Sequence, residues 1–514
     1  MGLWFNTPYT QWSILGDPRS EDRMNSIEPS VSAVPRIAVV GNGYVGSVVS
    51  ACFAALGRDV VGLEVDRSKL RSLRAGRAPL HEEGLDELLT VGIETGRLRF
   101  TDDVGEAVAT SDVIFLCVGT PANGAGADLH ALESVVRAIG ATVEGDRVLV
   151  TKSTVPVGTV AWLGDVLEES VRRENGRPVG TFSLVANPEF LRQGTAVSDF
   201  LHPRRVILGG EDPLALEIVA EVYRPILRQG FPGGDPARLP GLVRTTLASA
   251  EAVKYASNAF LAAKVSFINE VANICDRLGA DVTVVAEGMG MDPRIGPEFL
   301  SAGIGWGGSC FGKDLDALIH AARAEGYEPE LLHAVAAINR RQRSMAIEKL
   351  RDMLGGLEGR RVALLGLAFK PGTDDVRDAP ALDLGRWLLD AGAEVTAYDP
   401  VVREVSRLPE VKVAPNAYDA AADADAVVLA TEWPEFEELD MMKLADQMRG
   451  DLVFDGRNAL DPEAVADAGL RYEGMGRPGM DPRRVSLSMP PEDPEASVRE
   501  VAERTASDDA ALRF

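Results

Sequence analysis

The sequence predicts an α/β protein built from two doubly wound, parallel-sheet domains joined by a long central helix. Three observations predict it. First, short β-branched runs alternate with helical patterns: RIAVV (36–40), DVVGLEVD (59–66), SDVIFLCVG (111–119) and DRVLVTKST (146–154). Continuous apolar strands separated by helices indicate parallel sheets covered on both faces. Second, the last third repeats that rhythm in RVALLGLAF (361–369), AEVTAYDP (393–400), ADAVVLATE (424–432) and DLVFDGRN (451–458), so both halves read as Rossmann-like. Third, SAEAVKYASNAFLAAKVSFINEVANICDRLG (249–279) is one unbroken helical pattern, long enough to bridge two domains or pair two subunits.

The expected order is an extension without fixed structure (1–34, with Met24 an alternative natural start), a dinucleotide-binding domain (35–240) and a central helical region (241–345). A second Rossmann-like domain (346–480) and an acidic tail (481–514) follow. The 514 residues suffice for two or three cored domains. A formal charge of −25 argues against nucleic-acid and anionic membrane partners. The sequence shows neither an apolar run of membrane-spanning length nor a signal peptide. Four cysteines without a CxxC pair suggest no disulfide framework and no metal site, so the expected compartment is the reducing cytoplasm.

Gly41-Asn42-Gly43-Tyr44-Val45-Gly46 follows a strand and opens a helix. Its glycines allow a tight turn, close approach of a pyrophosphate, and helix-on-strand packing. Glu64 ends the second strand 23 residues after Gly41, where a carboxylate holds ribose hydroxyls and disfavours a 2′-phosphate, so the expected cofactor is NAD. The second half has only Gly366 and a cation, Lys370, in the equivalent place. Lys254 and Asn258 stand at i and i+4 on the long helix, on a face with Glu251, Ala262, Ser266 and Asn269. A solvated stripe is the ordinary reading, but small neighbours suit close packing or a ligand better. Thr154 and Glu189 sit where strands end, beside which ligands bind in open parallel sheets; caps and turns are the alternative. Cys310, in GGSCFGKD, precedes a helical pattern (314–323) with Lys313 beside it. A helix N-terminus and a nearby cation favour thiolate, whereas a lone cysteine is ordinarily a small buried hydrophobe.

Taken together, VGTP, KSTVPVGT, NPEFL, KYASNAFLAAKVSFINE, DPRIG, GGSCFGKD, GLAFKPGTDD and DGRN resemble the UDP-glucose/GDP-mannose dehydrogenase family, and its UDP-glucose 6-dehydrogenase group in particular, from about Arg36 to Pro478. The resemblance implies an N-terminal NAD domain, a dimerising helical centre and a C-terminal UDP-sugar domain. It implies a four-electron oxidation of a sugar C6 alcohol to a carboxylate by two NAD⁺, with Cys310 carrying a thiohemiacetal and then a thioester. Lys254 and Asn258 match residues that stabilise charge on the C6 oxygen. Thr154 and Asp314 match residues that hold a water near C6, and Glu189 the carboxylate that activates the hydrolytic water. The resemblance extends the cofactor set to Lys69, Gly119, Thr120, Pro121, Thr154, Lys313 and Arg377. It extends the sugar-nucleotide set to Phe190, Leu191, Phe299, Leu300, Gly303, Gly305 and Lys370, with Arg377 on the sugar or its phosphates and Arg294 reaching across from a neighbouring subunit.

There are departures. Gln193 stands where a second glutamate is common, which removes a charge near the hydrolysis site. Gly312 replaces a proline and is expected to loosen the catalytic turn. In His81-Glu82-Glu83-Gly84-Leu85, Glu83 departs from a usual EPGL, and no function is assigned to it. The expected partners are a UDP-sugar and further copies of the chain, as a homodimer or larger homo-oligomer. Rival readings are the same chemistry on GDP-mannose or a UDP-N-acetylhexosamine, a silent nucleotide-sugar binding protein, and a two-electron hydroxyacid dehydrogenase.

Overall fold

The computed structural model describes residues 34–121, 127–174 and 177–485. Expectations for the N-terminal extension and most of the acidic tail fall on residues 1–33 and 486–514, outside the described residues.

Buried β-branched runs form an eight-stranded sheet in the order Gly241–Thr245, Arg205–Gly209, Gly180–Ala186, Gly145–Thr151, Val113–Leu116, Ile37–Val40, Val60–Leu63, Leu98–Thr101. Six strands, from Gly180–Ala186 to Leu98–Thr101, are mutually parallel. The other two pair parallel with each other, but Arg205–Gly209 meets its neighbour antiparallel. The expected parallel sheet is thus present, with one antiparallel pairing near this edge. Gly241–Thr245 is half in solvent, so it lacks the continuous apolar run that reveals a strand covered on both faces. It also joins the first sheet, although the sequence reading placed residue 241 in the central region.

A second, six-stranded sheet has the order Lys412–Val413, Glu394–Tyr398, Arg361–Leu365, Ala426–Leu429, Leu452–Asp455, Arg471–Gly474, and all its pairings are parallel. Each half thus reverses strand order beside its first strand, the crevice where such sheets bind ligands. The repeat read in the sequence is a repeat of topology.

Between the sheets runs the helix Leu247–Leu278, capped by the Thr246 side chain on the Ser249 N–H and ended by left-handed Gly279. Its polar face is buried. Ser266 accepts from Trp306 Nε1 at 3.0 Å and donates to the Val335 carbonyl; Asn269 accepts from the Gly303 N–H at 2.9 Å. Ala259 and Ala262 pack against Trp306, Leu315, Ile319 and Val335, which seats the helices Phe311–Ala324 and Glu330–Leu354 on the long one. Glu330–Leu354 runs continuously through residues 345 and 346 into the second half. Small residues on that face let three helices approach closely, so the stripe is packing surface rather than a wet face.

Gly46 has no room for a side chain: a Cβ there would stand 1.9 Å from the Gly41 carbonyl oxygen. Gly46→Ala is expected to lower folding stability by about 1–3 kcal/mol or more, the usual cost of overpacking. Urea unfolding measures this, and an unchanged midpoint would contradict the reading.

Candidate active site

The first crevice has the shape a dinucleotide needs. Gly41 adopts φ +84° and lies so near the next strand that a Cβ would meet the Cys117 carbonyl and Val118 at 3.1 Å. Gly43, at the helix cap, faces open space, and so does Gly119 across the crevice. Tyr44 and Val45 begin the helix Tyr44–Ala55, whose free N–H groups point into that space. Buried Asn42 fixes the turn by donating to the Val39 and Leu63 carbonyls. Glu64 is buried and accepts from the N–H groups of Asn42 (3.1 Å) and Asp66 (2.9 Å), which holds it at the end of its strand. Open glycine, free amides and a carboxylate at the strand end fit NAD. Lys69 is exposed on the next helix, and Pro121 is exposed beside Thr120, whose hydroxyl donates to the Thr154 carbonyl at 2.7 Å. The cofactor loop and the Thr154 loop are therefore tied.

Just outside the strand ends lies a buried charged cluster. Lys254 Nζ donates to Glu189 at 2.9 Å, with both side chains almost sealed from solvent. Phe190 turns its ring toward Lys254, and the Leu191 N–H donates to the second Glu189 oxygen. Burial works against ionisation of Glu189, but the Lys254 charge and hydrogen bond, the Leu191 amide and Lys152 hold it below the usual carboxylate range. Burial likewise opposes the Lys254 charge, and Glu189 raises it above an ordinary lysine. One turn on, Asn258 donates to Asp314 at 2.6 Å, and Lys313 donates to the other Asp314 oxygen at 2.6 Å. The i, i+4 pair read in the sequence therefore presents one cation–carboxylate pair and one amide–carboxylate pair.

Cys310 caps the helix Phe311–Ala324 and is the one exposed cysteine among the described residues. Solvent reaches it, yet dense protein surrounds its sulfur. Lost hydration is the largest influence and raises the thiol above its ordinary value; Glu189 and Asp314 add to the rise, while Lys254 and Ser309 oppose it. The expectation of a resting thiolate is thereby corrected. The helix end and both lysines are present, but Lys254 is neutralised by Glu189 and Lys313 by Asp314.

The second half closes over this turn. A Cβ at Gly307 would sit 2.2 Å from the Asp378 carbonyl, and one at Gly308 would strike the Phe369 ring. The Gly308 N–H donates to the Arg377 carbonyl at 3.1 Å. These glycines exist for that approach. Arg377 pairs with Asp375, and Lys370 donates to the Gln193 carbonyl of the first half. Leu300 is buried among Ile268, Ala272 and Val282, Gly303 lies against Gly456, Gly305 lies against Asn339, and Phe299 holds a left-handed φ of +65°. Gly312 is the second residue of the helix Phe311–Ala324. Arg294 stands apart from this cluster: its side chain is 87% exposed and, among the described residues, pairs with Asp292, its neighbour two residues back.

The crevice of the second half differs from the first. Asp399 is fully buried and accepts from the amides of Leu367, Ala368, Val401 and Val402 and from Trp433 Nε1. Leu367 and Ala368 are the amides of the turn after the first strand, so its donors are consumed, and a Cβ at Gly366 would meet Thr431 at 2.4 Å. The second turn therefore has no pyrophosphate cradle of the first kind.

Two groups escaped the sequence reading. Lys152 is buried beneath Glu189 and donates to Asn187 (3.1 Å) and Tyr223 (3.0 Å); burial pushes it down to about 8, although Cys117 and Glu189 oppose the fall. A lysine closing an apolar strand was its only signal. Glu251 was grouped with a polar stripe, but its carboxylate accepts from the Gly158 (2.7 Å) and Val160 (2.8 Å) amides and so pins the Thr154 loop to the long helix.

Family models match the chain in three consecutive pieces: the UDP-glucose/GDP-mannose dehydrogenase family NAD binding domain at residues 35–227, its central domain at 248–341 and its UDP binding domain at 363–462. The chain is 45% identical over 450 residues to a UDP-glucose 6-dehydrogenase of Rhizobium meliloti, covering 86% of this chain and 100% of that protein. It is 42% identical over 449 residues to UDP-glucose 6-dehydrogenase TuaD of Bacillus subtilis, covering 87% and 94%. Among solved structures, a UDP-glucose dehydrogenase from Pyrobaculum islandicum superposes with a TM-score of 0.78 at 38% identity, covering 88% of this chain and all of that one. A UDP-D-ManNAc dehydrogenase from Pyrococcus horikoshii gives 0.75 at 28%, covering 86% and 99%.

The charge balance around Cys310 sets its reactivity. Iodoacetamide labelling of the unliganded protein, followed on the Cys310 peptide, is expected to accelerate with pH to a midpoint above that of a free thiol. Glu189→Gln removes a negative charge and frees Lys254, so its midpoint falls; Lys254→Met moves it upward. A wild-type midpoint below that of a free thiol would contradict this balance.

Proposed function

Because the chain belongs to the UDP-glucose/GDP-mannose dehydrogenase family and is an NAD-dependent dehydrogenase, we propose that it oxidises UDP-glucose to UDP-glucuronate through a thioester on Cys310. One observation carries the reading: Cys310, the Lys254–Glu189 pair and the Asn258–Asp314 pair converge outside the strand ends of the NAD domain. Neither a binding protein nor a two-electron dehydrogenase needs that thiol. Greater identity to relatives named for UDP-glucose than to the one named for UDP-D-ManNAc supports UDP-glucose as the sugar nucleotide.

The residues divide the work as follows. Asp314, or a water it holds with Thr154, takes the proton of the C6 alcohol. NAD⁺, when bound, accepts a hydride from C6 in each of the two oxidations. Cys310 Sγ adds to the resulting aldehyde and gives a thiohemiacetal, which keeps one hydrogen on C6 for the second oxidation and prevents escape of the aldehyde. Lys254 Nζ and Asn258 Nδ2 face the C6 oxygen and stabilise its negative charge. Loss of the second hydride leaves a thioester. Glu189, ionised at neutral pH, accepts a proton from the water that cleaves the C–S bond, releasing carboxylate and restoring the thiol. The raised resting thiol fits this order, because its proton passes to the C6 oxygen as sulfur adds to the aldehyde. In the cofactor set, Gly41 to Gly46, Glu64, Gly119, Thr120 and Pro121 frame the dinucleotide; Leu300, Gly303, Gly305, Lys370 and Arg377 face the UDP-sugar.

The partner expectation also finds support. Phe260, Phe267 and Ile274, spaced by seven, stand exposed with Leu278 on the long helix. Residues so spaced share one helix face, a seam suited to a second copy of the chain. The exposed side chain of Arg294 leaves it available to a neighbouring copy, as the resemblance implies.

Three outcomes are expected. UDP-glucose with excess NAD⁺ yields two NADH per sugar; one, or none, would contradict the proposal. Cys310→Ala releases no carboxylate while NAD and sugar affinities stay within about tenfold, and full turnover by it would reject the covalent role. Phe267→Glu shifts the chain toward monomer in light scattering, whereas an unchanged mass would exclude this seam.

A further inference from the structure

Glu82 lies in the segment His81 to Leu85, to which the chemistry above gives no task. It is buried, two residues before left-handed Gly84 opens the helix Leu85–Glu94. Its carboxylate accepts three hydrogen bonds from two other parts of the molecule. The Tyr44 hydroxyl, from the first turn of the cofactor helix, donates to Oε2. The Gly194 N–H donates to the same oxygen at 2.7 Å, and the Ala196 N–H to Oε1 at 2.6 Å. Gly194 and Ala196 end the loop that carries Glu189 to Gln193. Tyr44 also contacts this loop directly, donating to the Arg192 carbonyl at 3.4 Å.

The far side of that loop grips the second half. Lys370 donates to the Gln193 carbonyl, and Gln193 Nε2 donates to Asp375 at 3.0 Å, the carboxylate that pairs with Arg377. Gly194 runs so close to Gly372 that a Cβ would stand 2.6 Å from its carbonyl. The neutral side chain of Gln193 suits this place, since a carboxylate there would face Asp375. One unbroken series of hydrogen bonds thus joins Tyr44, Glu82, the Glu189 loop and the Lys370–Arg377 loop.

We propose that Glu82 is a positioning residue that couples the two ligand sites: a cofactor seated on the Tyr44 turn fixes, through Glu82, the loop that aims Glu189 and meets the UDP-sugar loop. The inference rests on the proposed function for the identity of the second ligand. Coupling between sites is reciprocal, so each ligand tightens the other by the same factor.

Calorimetric titration of the full chain with NADH, with and without saturating UDP, measures it. UDP is used because it occupies the second half without turnover. For the wild type, UDP is expected to tighten NADH by about fivefold or more, within the usual range of coupling energies. Glu82→Gln puts an amide NH₂ against N–H donors, and Tyr44→Phe removes a single hydroxyl while leaving the Glu82–loop bonds intact. Each is expected to bring the ratio to within about twofold of one, whatever its effect on either affinity alone. A wild-type ratio already near one, or wild-type coupling retained in folded Tyr44→Phe, would overturn the proposal. Failure of the wild type to bind UDP at all would instead reject the proposed function.

Discussion

The site depends on one ion pair taken out of water, Lys254 with Glu189. Lys254 comes from the long central helix and Glu189 from the loop after Gly180–Ala186, so the pair fixes the helix to the mouth of the first sheet. Separating buried partners leaves an uncompensated charge, which costs about 3–5 kcal/mol, so the geometry has little freedom to drift. Burial is the main reason the Cys310 thiol is raised, and the same pair limits what opposes it. Because Lys254 spends its charge on Glu189, Cys310 meets a nearly neutral pair beside a second carboxylate at Asp314, and its thiol stays protonated.

Both halves share one topology and put a carboxylate at the end of the second strand, yet only one keeps a dinucleotide cradle. Glu64 uses one oxygen on the Asn42 amide and leaves the helix N-terminus free. Asp399 takes two amides of the equivalent turn, Leu367 and Ala368, and the helix after that turn starts only at Pro380. Fold alone does not decide what a crevice binds; how many backbone donors remain unspent does.

Much of this was legible in the sequence, for physical reasons that can be named. Buried parallel strands announce themselves as continuous apolar runs, so the strands of the Rossmann repeat stood out. The edge strand Gly241–Thr245 did not, because its exposure breaks that signature. The antiparallel pairing of the buried strand Arg205–Gly209 is a direction that no local run encodes. Glycine turns were readable from spacing, and Gly41, Gly43 and Gly46 occupy the positions that spacing assigned. Charge partnership was not readable: nothing in the string says that Lys313 faces Asp314 rather than Cys310. Glu82, Glu251 and Lys152 escaped because their partners are backbone amides or residues far along the chain, and such bonds leave no local pattern.

The central claim is that the sulfur of Cys310 carries the sugar's C6 carbon between the two oxidations and hydrolysis. Glu189→Gln should slow the last step and let the acylated protein accumulate. Intact-protein mass spectrometry after mixing this variant with NAD⁺ and UDP-glucose tests it most directly. The account predicts an added mass equal to the nucleotide sugar less four hydrogens, located on the Cys310 peptide. Two-electron or four-electron oxidation of the sugar by this variant, with that peptide unmodified throughout, would contradict it.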